Sequence, residues 1–323
     1  MSSRRLFLRF IASSAFLVSG AIFSPMPVRA DPPVPVIASF SILGDMVHAV
    51  GGERVQVTTL VGPDGNAHVY QPTPADARAV SRARLVVVNG LGFEGWMDRL
   101  VTSSGYRGPI VIATDHVAPR IVDDAEDDAK AAGHGQHGDT ANTGEPSESI
   151  DPHAWQSLAN AAIYVANITD GLCAVDPAGA DVYRANARQY TAAIEALDAE
   201  VRASIARLPQ DRRKVVTSHD AFGYFAAAYG MQFIAPEGVS TESEASAKDV
   251  AKLIRQIRSQ HIPAVFMENV TDPRLIEQIR RETSAVIGGT LYSDALSPPD
   301  GPAPTYLDMF RNNVAALTKA LAS

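Results

Sequence analysis

The sequence predicts an α/β protein of two lobes, each a parallel-type sheet covered by helices, joined by one long rigid α-helix. Three observations carry this. Short Val/Ile/Leu runs alternate with helical stretches in both halves, the signature of parallel strands buried on both faces. Residues 181–208 repeat apolar side chains every three or four positions, with no Gly or Pro until Pro209. About 293 residues remain once residues 1–30 are set aside, enough for two lobes of ordinary size.

Residues 1–30 read as an export signal. Arg4, Arg5 and Arg9 precede an apolar stretch from Phe10 to Phe23, and Val28-Arg29-Ala30 places small residues where a signal peptidase reads. The stretch of about 14 apolar residues is shorter than the roughly 20 that span a bilayer. Ser3-Arg4-Arg5-Leu6-Phe7-Leu8-Arg9 also fits the twin-arginine pattern, so the export route stays open. No other segment reads as long and apolar enough to cross a membrane. The expected location is the periplasm, as a soluble monomer cut near Ala30. Cys173 is the only cysteine, which excludes an internal disulfide and a cysteine-based metal cluster. Loss of residues 1–30 removes four arginines and no acid, taking the formal net charge from −8 to about −12. Such a surface disfavours nucleic acid and favours cations.

The first lobe, residues 31–174, carries strand-like runs at Val36 to Phe40, Val55 to Val61, Leu85 to Asn89 and Ile110 to Ala113. Within it, residues 123–149 have no large apolar side chain, many acids and several glycines, and are expected to form a mobile loop. Its two histidines, His134 and His137, read either as weak metal recruiters or as solvated bystanders. The linking helix occupies residues 175–209, with Asp176-Pro177 expected to supply a cap and a first-turn proline. Its apolar face holds Tyr183, Tyr190, Ile194, Leu197, Val201, Ile205 and Leu208. The second lobe, residues 210–323, carries runs at Val215 to Thr217, Gln232 to Ile234, Ala264 to Met267 and Ala285 to Ile287.

Four residues far apart in sequence follow β-like runs: His68 in GNAHVYQPTP, His153 in DPHAW, His219 in VVTSHDAFGYF and Asp294 in GGTLYSDALS. Loops at the carboxyl ends of parallel strands face the crevice where ligands bind. Three imidazoles and one carboxylate complete a tetrahedral shell for a borderline divalent cation, zinc first. A shell closed by protein leaves no position for an activated water, which points to capture and delivery rather than chemistry. His48, His116 and His261 lack this placement and are assigned to structure. Asp151 and Asp220 stand beside ligand candidates, where they could orient an imidazole or cap a helix; capping is the preferred reading for both. Glu268, at the end of the AVFME run, also faces the crevice, and a cap or a lobe-to-lobe hydrogen bond is its plainer explanation.

GNAHVYQPTPAD, DPHAW, SHDAFGYFAAAYG, EGVSTESEASAKDV, ENVTDPR and GGTLYSDALS together resemble the zinc- and manganese-binding receptors of bacterial ABC importers, over residues 34–321. The resemblance implies two lobes, one rigid linking helix and a metal between the lobes, with His68 and His153 from the first and His219 and Asp294 from the second. Manganese members commonly carry glutamate at the third of these positions and zinc members histidine, so His219 implies Zn2+ as the cargo, with Mn2+ the alternative. The implied partners are an inner-membrane ABC permease and, in some zinc members, a periplasmic metallochaperone. The rival from another class is a zinc hydrolase, in which Asp294 would be a general base rather than a ligand. Neither H-E-x-x-H nor G-x-S-x-G occurs, and no G-x-x-x-x-G-K-[ST] marks a nucleotide site.

Overall fold

The computed structural model describes residues 32–123 and 148–322. Residues 1–30, expected to be an export signal, and His134 and His137 lie outside the described residues. The first lobe runs β1 (Val34–Phe40), α1 (Ser41–Gly51), β2 (Val55–Val61), α2 (Pro74–Arg82), β3 (Leu85–Val88), α3 (Met97–Ser104) and β4 (Ile110–Ile112). Its sheet has the order β2-β1-β3-β4 with every pair parallel. Every residue of β3 and the last five of β1 are buried, as expected of strands covered on both faces. Helix α2 starts with a full capping box between Thr73 and Asp76 and Pro74 in its first turn, the pattern its PTPAD sequence encodes.

A two-stranded antiparallel hairpin follows, β5 (Arg120–Asp123) and β6 (Glu148–Asp151), which the sequence did not announce. Asp123, Glu148 and Ser149, expected in the mobile loop, are instead ladder residues: Asp123 pairs with Glu148 and Val122 with Ser149. The β-branched Ile121, Val122 and Ile150 carry this pairing against an otherwise polar stretch.

Helix α4 (Leu158–Val175) corrects a second expectation. By length and composition its 18 residues could cross a membrane. It packs instead against α1, β3, β4 and the long helix, with Leu158, Tyr164, Val165, Ile168 and Leu172 buried. That long helix, α5 (Ala180–Ala206), has 27 residues and is roughly 40 Å long at 1.5 Å per residue. Tyr183, Ile194, Leu197, Val201 and Ile205 form its buried stripe, as the periodicity predicts. Pro177 lies in a short 3-10 turn just ahead of it, and Asp176 does not cap it. The Asp176 carboxylate instead accepts from Arg54 and from the Tyr183 hydroxyl, at 2.8 and 2.6 Å.

The second lobe runs β7 (Lys214–Val216), α6 (Gly223–Tyr229), β8 (Gln232–Ile234), α7 (Ala247–Gln260), β9 (Ala264–Glu268), α8 (Pro273–Glu282), β10 (Val286–Leu291) and α9 (Tyr306–Leu321). Its sheet has the order β10-β9-β7-β8, again all parallel. The last helix, α9, lies on β10 and also against α5 and α1, so one apolar core runs from the first sheet to the second. A smaller cluster of Val216, Val265, Ile254, Ile257, Ile276 and Ile279 fills the space between the second sheet and α7 and α8.

Candidate metal centre

His68, His153, His219 and Asp294 converge on one point, with their donor atoms all within 4.8 Å of one another. His68 Nε2 lies 3.3 Å from His153 Nε2 and 3.3 Å from Asp294 Oδ2. His219 Nε2 is 3.1 Å from Asp294 Oδ2, and His153 Nε2 is 3.6 Å from Asp294 Oδ1. A tetrahedral site with bonds of 2.0–2.1 Å has donor-to-donor edges of about 3.3–3.4 Å. These four separations, 3.1 to 3.6 Å, bracket that value. His68 is 7% exposed and the other three are 0% exposed. His219 Nε2 and both Asp294 oxygens have no hydrogen-bond partner among the described residues, an arrangement that a central cation would satisfy.

Each donor is held by its own local device. His68 sits in the loop after β2, where Asn66 Oδ1 accepts its backbone N–H at 3.0 Å and the Phe93 ring stands edge-on at 4.7 Å. Phe93 comes from the loop after β3, which Glu94 fixes by accepting from Ser39 Oγ (2.5 Å) and the backbone N–H groups of Asn89 (2.7 Å) and Gly90 (3.3 Å). Burial pushes the Glu94 carboxyl up. Phe93 and Glu94 were not singled out from the sequence, although they occupy the same kind of strand-end loop as His68.

His153 departs from the predicted placement. It follows β6 of the antiparallel hairpin, and not a strand of the parallel sheet. Asp151 Oδ1 accepts both its backbone N–H (3.0 Å) and its ring Nδ1–H (2.9 Å). That leaves Nε2 with a lone pair aimed at the cluster. The preferred capping reading of Asp151 is therefore overturned: it orients an imidazole. Behind it, Arg120 Nε is 3.4 Å from Asp151 Oδ2.

For His219 the orienting carboxylate is Glu268, not its neighbour Asp220. Glu268 Oε2 lies 2.7 Å from His219 Nδ1, and Oε1 accepts the backbone N–H groups of Ser218 (2.8 Å) and His219 (2.9 Å). Glu268 thus neither caps a helix nor bridges the lobes; β9 places it beside β7 within one sheet. Asp220 does not cap α6, whose first-turn boundary is Phe222 without a side-chain cap. Burial alone would lower the His219 pKa, but Glu268 and Asp294 outweigh it and hold the imidazole well above the ordinary histidine value. Burial likewise opposes ionisation of Asp294, yet the imidazoles of His219 and His153 keep its carboxyl well below the usual range. His68 is lowered, chiefly by burial.

Asp294 is positioned from the first lobe. Trp155 Nε1 and Gln156 Nε2 both donate to the carbonyl of Ser293, at 2.9 and 2.7 Å. The Trp155 ring packs on Phe40, Phe93 and His153 at centroid distances of 4.9, 4.8 and 5.2 Å. The DPHAW segment therefore supplies one donor and fixes the backbone of another. His48 and His116 are exposed and outside the cluster. His261 ends α7 in the left-handed region, at φ 52°.

Residues 36–320 match the family described as zinc-uptake complex component A, periplasmic (ZnuA). The chain is 31% identical over 309 residues to the iron-binding protein YfeA of Yersinia pestis, covering 96% of this chain and 93% of that one. It is 31% identical over 287 residues to the manganese-binding lipoprotein MntA of Halalkalibacterium halodurans, covering 89% and 88%. Among solved structures it resembles the periplasmic zinc-binding protein TroA of Treponema pallidum, with TM-score 0.79, 28% identity and coverage of 91% and 100%. A manganese-bound periplasmic metal-binding protein of Candidatus Liberibacter asiaticus matches with TM-score 0.74, 34% identity and coverage of 88% and 98%. The chain belongs to the ZnuA family of metal-binding receptors that serve ABC importers.

Proposed function

We propose that the protein captures one Zn2+ in the periplasm through His68, His153, His219 and Asp294 and delivers it to an ABC permease. The observation that carries this reading is the closed donor set: three imidazoles and a carboxylate whose donor atoms lie within 4.8 Å of one another, buried and drawn from both lobes. Nitrogen-rich, four-coordinate sites suit zinc, whereas manganese prefers more oxygen donors and a higher coordination number. Asp151 supports the assignment, because ligand imidazoles commonly donate their second N–H to a carboxylate, and the Glu268 carboxylate stands 2.7 Å from His219 Nδ1 in the equivalent place. Asp294 lies at donor distance from all three imidazoles, which speaks against a role as the general base of a hydrolase.

A second reading, with manganese or iron as cargo, is favoured by one feature. Asp294 turns Oδ2 towards His68 and His219 and Oδ1 towards His153, so both oxygens are available to make a five-coordinate site. The names of the manganese- and iron-binding relatives point the same way. Elemental analysis of protein taken from its own periplasm without added metal, with competitive Zn2+ and Mn2+ titrations, tests the choice. One equivalent of zinc and tighter binding of Zn2+ are expected; manganese or iron as the native occupant would overturn the zinc assignment.

A further inference from the structure

Residues 235–246 leave β8 and touch both halves of the metal centre before entering α7. At their start they extend the sheet: His219 and Glu237 form a parallel bridge, Glu237 N–H donates to Ser218 O (3.3 Å) and Asp220 N–H to Gly238 O (3.1 Å). The backbone on both sides of His219 is thereby tied to this segment. Further on, Thr241 reaches the first lobe. Asn66 Nδ2 donates to Thr241 Oγ1 at 2.8 Å, Thr241 Oγ1 lies 3.1 Å from Asn66 Oδ1, and Asn66 Nδ2 also reaches Val270 O at 3.3 Å. Asn66 Oδ1 is the same atom that accepts the backbone N–H of His68. One amide therefore couples the placement of His68 to the docking of a segment whose other end holds His219.

We propose that residues 235–246 are a strap across the two half-sites and that the Asn66–Thr241 pair is the latch setting how long a bound cation is retained. The proposal rests on the reading that His68 and His219 are metal ligands. Asn66 and Thr241 are positioning residues: neither belongs to the donor cluster, and they act through the backbone of the donors. A surface groove of about 680 Å³ runs along one side of the strap, bounded by Glu237, Glu244 and Ala245 of the strap and by Ile254, Arg255 and Leu275 of α7 and α8. Thr241 is only half-buried, so the latch is within reach of a partner that docks on the rim.

The test is the Zn2+ release rate of the exported protein, followed with an excess of a colorimetric chelator. Thr241→Val keeps the side chain's size and removes the hydroxyl. Release is expected to rise about five- to tenfold, as the loss of a hydrogen-bonded contact implies, while the visible spectrum of the Co2+-loaded protein stays that of the wild type. Thr241→Ser should restore release to within about twofold. In the pair Asn66→Ala and Thr241→Val the double variant should release no faster than Asn66→Ala alone, since both break one linkage. Wild-type release from Thr241→Val, additive effects in the double variant, or a changed Co2+ spectrum in Thr241→Val would each overturn the latch. Metal uptake by the wild type judges the receptor reading separately: normal uptake with unaltered release in Thr241→Val defeats the strap alone, and a wild type that takes up no cation defeats both.

Discussion

Replacing Glu268 by glutamine isolates what the orienting carboxylate contributes, because the substitution keeps shape and removes charge. Oε1 accepts two backbone N–H groups, from Ser218 and His219, so the amide oxygen is held on that side. The amide NH2 then faces His219 Nδ1, where a carboxylate oxygen lies 2.7 Å away in the native protein. Two donors cannot share that contact. His219 adopts the tautomer with its proton on Nε2, the atom aimed at the metal, and must reverse it to bind. Losing one charge-assisted contact costs about 1.5–3 kcal/mol, or about 10- to 150-fold in affinity. Competition between the protein and a zinc chelator of known strength measures this. The metal-free variant should melt below the wild-type temperature, since the buried, protonated His219 loses a carboxylate that stabilises it. A Kd within about threefold of wild type would refute the argument that Glu268 sets the tautomer of His219.

His68→Ala, His153→Ala and His219→Ala should each weaken zinc binding by about 100-fold or more, at least the upper end of what losing a residue that merely orients a ligand costs, whereas His48→Ala should not; calorimetric titration of the four variants decides. Binding should be proton-linked: the raised pKa of His219 means that the metal-free site holds a proton near neutrality, which zinc must displace. Affinity should therefore fall by about tenfold per pH unit as pH drops below that pKa, and calorimetry in buffers of different ionisation enthalpy should register about one proton released at pH 7. In the metal-free protein the sign is reversed, because a raised folded pKa stabilises below the unfolded value of about 6.5 and that contribution is lost as pH rises through the folded pKa. Trp155→Ala should lower stability by about 3–5 kcal/mol, as for other large buried aromatics, and weaken zinc binding because the Ser293 carbonyl loses one of its two donors; denaturant unfolding followed by titration checks both.

The two parallel sheets were legible because their strands are short runs of Val, Ile and Leu, which read alike wherever both faces are covered. The long helix was legible from its stripe of apolar residues. What escaped was set by contacts distant in sequence. The hairpin of β5 and β6 is stabilised by partners 25 or more positions apart, across a stretch whose composition signals only solvation. Asp151 and Asp220 looked equivalent, each being close in sequence to a histidine, yet side-chain direction separates them, and Glu268 reaches His219 from a neighbouring strand 49 residues on. Asp176 resembled a helix cap until Arg54, 122 positions earlier, claimed its carboxylate. The four candidate ligands were picked by their position after extended runs, and the structure places His68, His219 and Asp294 behind strands of the parallel sheets. His153 follows a strand of another kind.

The burial of the four donor residues has a kinetic corollary. A competing small molecule cannot touch an ion sealed in this way, so ternary exchange, in which an incoming ligand helps to push the old ones off, is closed to it. Unloading must wait for a unimolecular opening of the protein, and its rate should level off as the scavenger is made more concentrated. A cargo guarded like this leaves at the pace of that opening, however many weak chelators surround it during its transit.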